Sequence, residues 1–270
     1  MKVYCVQMDQ AWEDKPANYS KASAMLDKEA PEPGNLIVLP EMFPTGYSND
    51  LSVAAKDEPA STDNYLSGLA KKHGCWVISG SVRGETTETG ANVAITFNPD
   101  GERVSSFTKL HPVGYYGEDK FYAPGEALQS FHCNRFTISP FICYDLRFPE
   151  VFRIAAFQGA NLIVVIANWP AVRIDHWEIL LRARAIENQA FVVGVNRCGK
   201  DPNLEYPGRS LILDPQGRSI AEADDSECII SGELDIDVLT EWRNHFPALE
   251  DARLEFLPSI PLTPEHTIEL

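Results

Sequence analysis

At 270 residues the chain can bury a large core, as one domain or as two. With 44% hydrophobic and 23% charged residues it has the composition of an ordinary soluble globular protein, and no apolar run approaches the roughly 20 residues of a membrane helix, which argues against a membrane partner. The net charge of −16, from 39 acids against 23 basic residues with no basic cluster, argues against nucleic acid and means that an anionic substrate must find positive charge inside its own pocket.

The N-terminal Met1-Lys-Val-Tyr-Cys-Val-Gln7 enters a strand-like run directly, without the regions of a signal peptide, so a cytoplasmic location is expected. Val3–Gln7 alternates like a strand, and Pro16–Glu29 carries Tyr19, Ala22 and Leu26 at helical spacing up to the Pro31–Gly34 break. Leu36–Leu39 is a short apolar strand that delivers Glu41 to a turn-rich loop. A helix over Thr62–His73 stops at Gly74, and a strand follows over Trp76–Val82. Asn92–Phe97 and Arg103–Lys109 flank the hairpin turn Asn98-Pro-Asp-Gly101. Leu110–Glu126 has no period and reads as a long ordered loop.

After a strand over Gln129–Cys133, the stretch Phe136–Glu150 predicts strand, sharp turn and helix, with Cys143 at the strand's end and Pro149 opening the helix. Leu162–Ala167 is another apolar strand, ending in the loop Asn168–Ile174. Asp175 is placed to cap a helix through Asn188, with Trp177, Leu180, Leu181 and Ala185 inward. Strands over Ala190–Val195, Ser210–Leu213 and Ser219–Ala223 follow, the last two around Asp214-Pro-Gln-Gly217. A further strand, a helix over Ile236–His245 and a Pro-rich tail close the chain. Short apolar strands alternating with amphipathic helices predict an α/β fold, and a Pro-x-Gly hairpin in each half suggests one two-layered unit built twice. Residues 1–245 form the expected domain, and 246–270 an extension packing on the body or on a partner subunit.

Six cysteines without paired close spacing do not make a disulfide framework, and no C-x-x-C is present for zinc. Cys5, Cys75, Cys133, Cys198 and Cys228 lie in or beside strand-like runs and are expected to be inert. Taken singly, Cys143 is a small hydrophobe closing a strand, Glu41 a solvated loop acid and Lys109 a surface lysine. Together, all three stand at strand ends, where ligands collect in α/β sheets. A thiolate at Cys143 could attack a carbonyl or nitrile carbon, provided that a base takes its proton. His111 is the histidine best placed to compete with Glu41 for that task. Ordinary pKa values of about 4.3 for Glu and 8.5 for Cys leave the transfer to Glu41 uphill by roughly 5 to 6 kcal/mol. Burial of Glu41, with Lys109 and the helix N-terminus stabilising the thiolate, is expected to close that gap.

Leu39-Pro-Glu-Met-Phe43, Thr108-Lys-Leu-His111 and Ile142-Cys-Tyr-Asp-Leu-Arg-Phe-Pro149 resemble the three catalytic blocks of the nitrilase superfamily, the carbon-nitrogen hydrolases. The resemblance covers Val3 to about Leu239. It implies a pseudo-symmetric four-layer αββα sandwich that dimerises through helices, giving a homodimer. It also implies Glu41 as general base, Lys109 as stabiliser of the intermediate, Cys143 as nucleophile and Glu118 as supporting glutamate. No metal or organic cofactor is required. Ala167–Arg173, His176-Trp177 and Arg182–Gln189 most resemble the omega-amidase branch, which implies hydrolysis of the terminal amide of 2-oxoglutaramate and 2-oxosuccinamate through a thioester. A different amidase, an N-carbamoyl hydrolase and a non-catalytic scaffold are the alternatives. The Tyr144 N–H is the expected oxyanion donor. Phe43, Tyr116, Tyr144 and Trp169 are the expected pocket wall, Arg173 the partner of a substrate carboxylate, and Arg147 the partner of an acid at a dimer face.

Overall fold

The strand-like runs of each half of the chain gather into a sheet of their own. The computed structural model describes residues 1–56, 61–84, 89–253 and 255. In chain order the first half supplies β1 (Lys2–Gln7), α1 (Lys15–Glu29), β2 (Leu36–Val38), α2 (Leu51–Ala54), α3 (Ser61–His73), β3 (Trp76–Gly84), β4 (Gly90–Phe97) and β5 (Arg103–Thr108). The second half supplies β6 (Phe131–Cys133), β7 (Phe136–Ile142), α4 (Pro149–Phe157), β8 (Leu162–Ala167), α5 (Ile174–Asn188) and β9 (Phe191–Asn196). It continues with β10 (Cys198–Lys200), β11 (Glu205–Pro207), β12 (Leu211–Leu213), β13 (Ser219–Glu222), β14 (Cys228–Glu233) and α6 (Ile236–His245).

One six-stranded sheet has the order β14-β1-β2-β3-β4-β5, the other the order β13-β12-β9-β8-β7-β6. β1, β2 and β3 run parallel and β4 and β5 return antiparallel. β7, β8 and β9 repeat the parallel run, with β12 and β13 as the antiparallel return. The two halves therefore share one topology, and the two Pro-x-Gly turns occupy equivalent places in it.

Alternation along the strands sorts the core into layers. Val3 and Cys5 of β1 face a cluster shared with Val164 and Val193 of the other sheet. Tyr4 and Val6 face the opposite way, against Ala22 and Leu26 of α1 and Leu66 and Ala70 of α3. α4 and α5 cover the second sheet through Phe152, Trp177 and Leu181. With both faces covered, the strands read as nearly continuous apolar runs, and the layer order α-β-β-α matches the expectation.

Elements expected from the sequence fall within two residues of those observed. The loop Leu110–Glu126 contains the 3-10 turns Gly114–Tyr116 and Glu118–Lys120. Asp175 does not cap α5. Arg173 holds the cap position without a side-chain bond, and Asp175 lies in the first turn, where its charge complements the helix dipole. Leu180 is only partly buried. Of the expected C-terminal extension, the Phe246 carbonyl accepts a bond from Gln189 Nε2 at 2.7 Å, and the Pro-rich tail from Leu257 lies outside the described residues.

The turn after β2 crosses β3 at Gly80, whose N–H donates to the Pro40 carbonyl at 3.1 Å. A Cβ at Gly80 would stand 2.4 Å from the Met42 nitrogen and 2.5 Å from Glu41 Cα, so the closeness of that crossing depends on glycine. Gly80→Ala must push the Glu41 turn outward. The expected result is a loss of about 1–3 kcal/mol in unfolding free energy, from overpacking. Turnover should fall by about 100-fold, because the displaced atoms belong to Glu41. Denaturant unfolding and turnover check this together; wild-type values in both would mean that the crossing has slack.

Candidate active site

Three strand ends deliver their side chains to one buried point. Glu41, just after β2, has its backbone carbonyl pinned by Gln10 Nε2 and Asn168 Nδ2, each at 2.9 Å. Met42 then adopts φ +43°, which turns the chain sharply and leaves the Glu41 side chain facing inward. Lys109 follows β5, its N–H bonded to Asn92 O at 2.9 Å and its carbonyl to Gly125 N at 2.8 Å. Its ammonium lies 2.9 Å from Glu41 Oε1 and 2.9 Å from each oxygen of Glu118. The side chains of Glu41 and Glu118 are wholly buried, and that of Lys109 is 1% exposed.

Neutral groups complete the cluster. Asn92 Nδ2 donates to both carboxylates, at 2.7 Å to Glu41 and 3.0 Å to Glu118. The Asn168 N–H donates to Glu41 Oε2 at 2.8 Å. Glu118 Oε2 also accepts from the Val113 N–H at 2.7 Å and from the Tyr47 hydroxyl at 3.1 Å.

Cys143 follows β7 with φ +46°, in a left-handed conformation that a non-glycine residue adopts at a cost. Asp145 secures this turn: it accepts from Ile142 N at 3.1 Å and from His111 N at 2.9 Å. His111 Nδ1 lies 2.8 Å from the same Asp145 carboxylate, and its ring stacks on Phe148. His111 is thereby engaged away from the thiol, whereas Glu41 stands close enough for its charge to act on Cys143. Tyr144 is the second residue of the 3-10 turn Cys143–Arg147, where a backbone N–H lacks a partner within the turn.

The electrostatics depart from expectation at the thiol. Burial and then the Glu41 charge push Cys143 well above the ordinary thiol range; Lys109 opposes them and is outweighed. Burial alone would lower Lys109, but Glu118 and Glu41 raise it well above the usual ammonium range. For Glu118, burial is overcome by Lys109, Asn92 and the Val113 N–H, which hold its carboxyl below the ordinary value. Two carboxylates around one ammonium leave surplus negative charge, and a thiolate beside it would add more. The charge balance therefore favours the thiol over the thiolate in the free protein. Burial also raises the thiols of the other five cysteines; Cys133 and Cys198 are pushed up to about 12.

Cys143 opens onto a cavity of about 320 Å³. Tyr116, Tyr144, Trp169 and Arg173 line it. Phe43 does not: beyond the Met42 turn it packs 5.8 Å from Tyr19 and 5.9 Å from Tyr65, in the core under α1 and α3. Arg147 is likewise corrected. It has no acid partner among the described residues and instead reaches the cavity, with its guanidinium 4.7 Å over the Trp169 ring. Tyr47, Leu204 and Tyr206 also line the wall. Among the described residues no group of three or more His, Cys, Asp or Glu side chains is arranged to hold a metal ion.

Asn168 could have been found from pseudo-symmetry, because it follows β8 as Glu41 follows β2, each the middle strand of a parallel trio. Arg147 carried a signal as well, standing one helical turn beyond Cys143. Nothing in the sequence singled out Asn92 or the β10–β11 hairpin that carries Leu204 and Tyr206.

An αββα sandwich with Glu41, Lys109 and Cys143 converging at its strand ends has the make-up of a cysteine hydrolase that works by acyl transfer. The chain belongs to the carbon-nitrogen hydrolase family, whose model matches residues 2–244. It is 35% identical to a 2-oxoglutaramate amidase of Bacillus subtilis over 93% of this chain and 97% of that protein. It is 37% identical to the omega-amidase YafV of Escherichia coli K12, over 93% and 96%. Among solved structures, a CN-hydrolase superfamily protein of Xanthomonas campestris, with an arsenic adduct in its active site, superposes with a TM-score of 0.88 at 31% identity, covering 97% and 99% of the two chains. Like the two amidases, the chain is a hydrolase of amide bonds.

The charge balance has a spectroscopic consequence. Thiolate absorbance in the ultraviolet, taken as wild type minus Cys143→Ala, should show no Cys143 signal up to the ordinary thiol value of 9.0. A thiolate signal at neutral pH would contradict the balance described.

Proposed function

We propose that the protein is an omega-amidase that cleaves the terminal amide of small dicarboxylate monoamides, 2-oxoglutaramate and 2-oxosuccinamate, to acid and ammonia. The observation that carries this reading is a thiol beside a buried glutamate and ammonium, in a cavity whose wall also presents guanidinium groups. The names of the Bacillus and Escherichia relatives support the substrate class.

In the first half-reaction the Cys143 thiol gives its proton to Glu41 as sulfur bonds to the amide carbon. Because the resting group is a thiol, attack and proton transfer are coupled. Lys109 and the Tyr144 N–H receive the oxyanion, and Glu118, bonded to both Lys109 and Tyr47, holds the ammonium in place. Glu41 returns the proton to nitrogen as the C–N bond breaks, and ammonia leaves. In the second half Glu41 takes a proton from water, hydroxide attacks the thioester, and the departing sulfur recovers that proton.

The proposal includes a homodimer. Val172, Ile179 and Ile186 are 75%, 64% and 56% exposed and recur every seven residues into and along α5, an apolar stripe suited to a second copy of the chain. A cytoplasmic setting accords with six free cysteines. No helix among the described residues is long and apolar enough to cross a membrane.

Ammonia release from 2-oxoglutaramate should far exceed that from nitriles and N-carbamoyl compounds. Cys143→Ala and Glu41→Gln should each lower it by at least about 1,000-fold. Preference for another panel member would redirect the substrate assignment, and turnover by Cys143→Ala would end the mechanism. Ile179→Glu should shift the sedimenting species from dimer to monomer; a wild-type monomer, or an unaffected dimer, would contradict the α5 interface.

A further inference from the structure

Asn92 carries no charge, yet it bonds Glu41, Glu118 and Lys109, the three charged residues of the site. Ala91, Val93 and Ile95 of β4 face the helix layer, so alternation turns Asn92, like Ala94, towards the second sheet. Its backbone carbonyl accepts from the Lys109 N–H at 2.9 Å, and its Nδ2 donates to Glu41 Oε1 at 2.7 Å and to Glu118 Oε1 at 3.0 Å. Both amide hydrogens are thereby used. Its Oδ1 is buried and has no hydrogen-bond partner among the described residues. Asparagine is disfavoured inside a strand and an orphaned buried acceptor costs free energy, so packing does not account for this residue. The opposite amide orientation would set Oδ1 against two carboxylates, which fixes Nδ2 as the group that faces them.

The same bonds divide the two oxygens of Glu41. Oε1 receives Lys109 Nζ at 2.9 Å as well as Asn92 Nδ2, which fills its lone pairs. Among the described residues Oε2 receives only the Asn168 N–H, at 2.8 Å. One lone pair of Oε2 is left for a proton.

We infer that Asn92 is a positioning residue for the hydrolysis: its two amide hydrogens hold one oxygen of each glutamate and leave Glu41 Oε2 to carry the reacting proton. This rests on Glu41 as the base, as proposed above, and goes beyond it. The proton leaving the thiol, the proton returned to nitrogen and the proton taken from water all pass through Oε2. Once the departing sulfur has recovered the last of them, Oε2 is bare again. Asn92 itself touches neither the thiol nor the cavity and acts through the two carboxylates.

Asn92→Leu removes both donors at nearly the same volume. For ammonia release from 2-oxoglutaramate, kcat should fall by about 100-fold with KM within about threefold. The profile of kcat/KM against pH separates positioning from structure. Lys109, Cys143 and Tyr47 are all raised above their ordinary ranges, so among the ionisable groups of the cluster the acid limb belongs to the carboxylates. Burial would raise Glu118, and Lys109 and then Asn92 overcome it. Without the Asn92 donors the carboxylate pair takes up a proton more readily, and the acid limb should move up by about one pH unit or more. A fall in turnover with an unmoved limb would make Asn92 a structural residue, and unchanged turnover would make it a bystander; each overturns the inference.

Should Asn92→Leu fail to fold, Asn92→Asp decides the matter. Beside two carboxylates the new carboxyl holds its proton and donates one hydrogen in place of two, until it ionises at higher pH. Turnover should be retained in part at the acid end and lost as pH rises through values where the wild type is still active; a wild-type profile overturns the inference. Glu41→Gln keeps the two readings apart. An inactive Glu41→Gln beside an unaffected Asn92→Leu overturns the inference alone, and wild-type turnover by Glu41→Gln overturns the base assignment together with it.

Discussion

The Lys109 ammonium, buried between the carboxylates of Glu41 and Glu118, is the interaction on which the rest of the molecule depends. An isolated ammonium in that position would lose its proton, and an isolated carboxylate would gain one. Each group is stable there only because the others come within hydrogen-bond distance. Glu41 arrives from the end of β2, Lys109 from the end of β5 and Glu118 from the loop beyond it, so the first sheet must be correctly assembled before the charges can meet. Removing one partner would leave uncompensated charge in the interior, a loss of about 3–5 kcal/mol. The second sheet contributes Cys143 and the Asn168 N–H, so the site also depends on how the two sheets are stacked.

Two carboxylates around one cation make a poor environment for a second anion, and this governs the nucleophile. The surrounding charge opposes a stored thiolate in the resting protein. In the proposed reaction a thiolate forms as bonding to the substrate carbon begins, when negative charge moves onto an oxygen facing Lys109. Local backbone strain serves the same end. Met42 and Cys143 both take positive φ, and both occupy the tight turns that point a functional side chain inward at the end of a buried strand. Asp145 and the Gly80 crossing hold those turns in place.

The layered fold was legible because strands covered on both faces must be apolar almost throughout, and amphipathic helices must alternate with them. Glu41, Lys109 and Cys143 were legible for a related reason: polar residues directly after such strands stand out. Glu118, in the loop beyond β5, came only from the resemblance to the nitrilase superfamily. Phe43 misled because Met42 reverses the chain between Glu41 and Phe43, and a positive φ at a methionine leaves no mark in a sequence. The state of the thiol was missed because it depends on the sum of three charges contributed by distant segments. Arg147 was assigned to a surface because a single arginine after a cysteine has no direction until the turn is known. The β10–β11 hairpin is shorter than any periodic signal, yet it brings Leu204 and Tyr206 to the cavity.

The proposed reaction turns on covalent chemistry at a thiol that gives its proton to Glu41. Rapid mixing with 2-oxoglutaramate, acid quench and intact-mass analysis tests it most directly. The account predicts an acyl adduct on Cys143, formed together with a burst of ammonia equal to the active sites when hydrolysis of the thioester is the slower half, and absent in Cys143→Ala and Glu41→Gln. Ammonia release by the Cys143→Ala protein, or an adduct carried on a different residue, would contradict it.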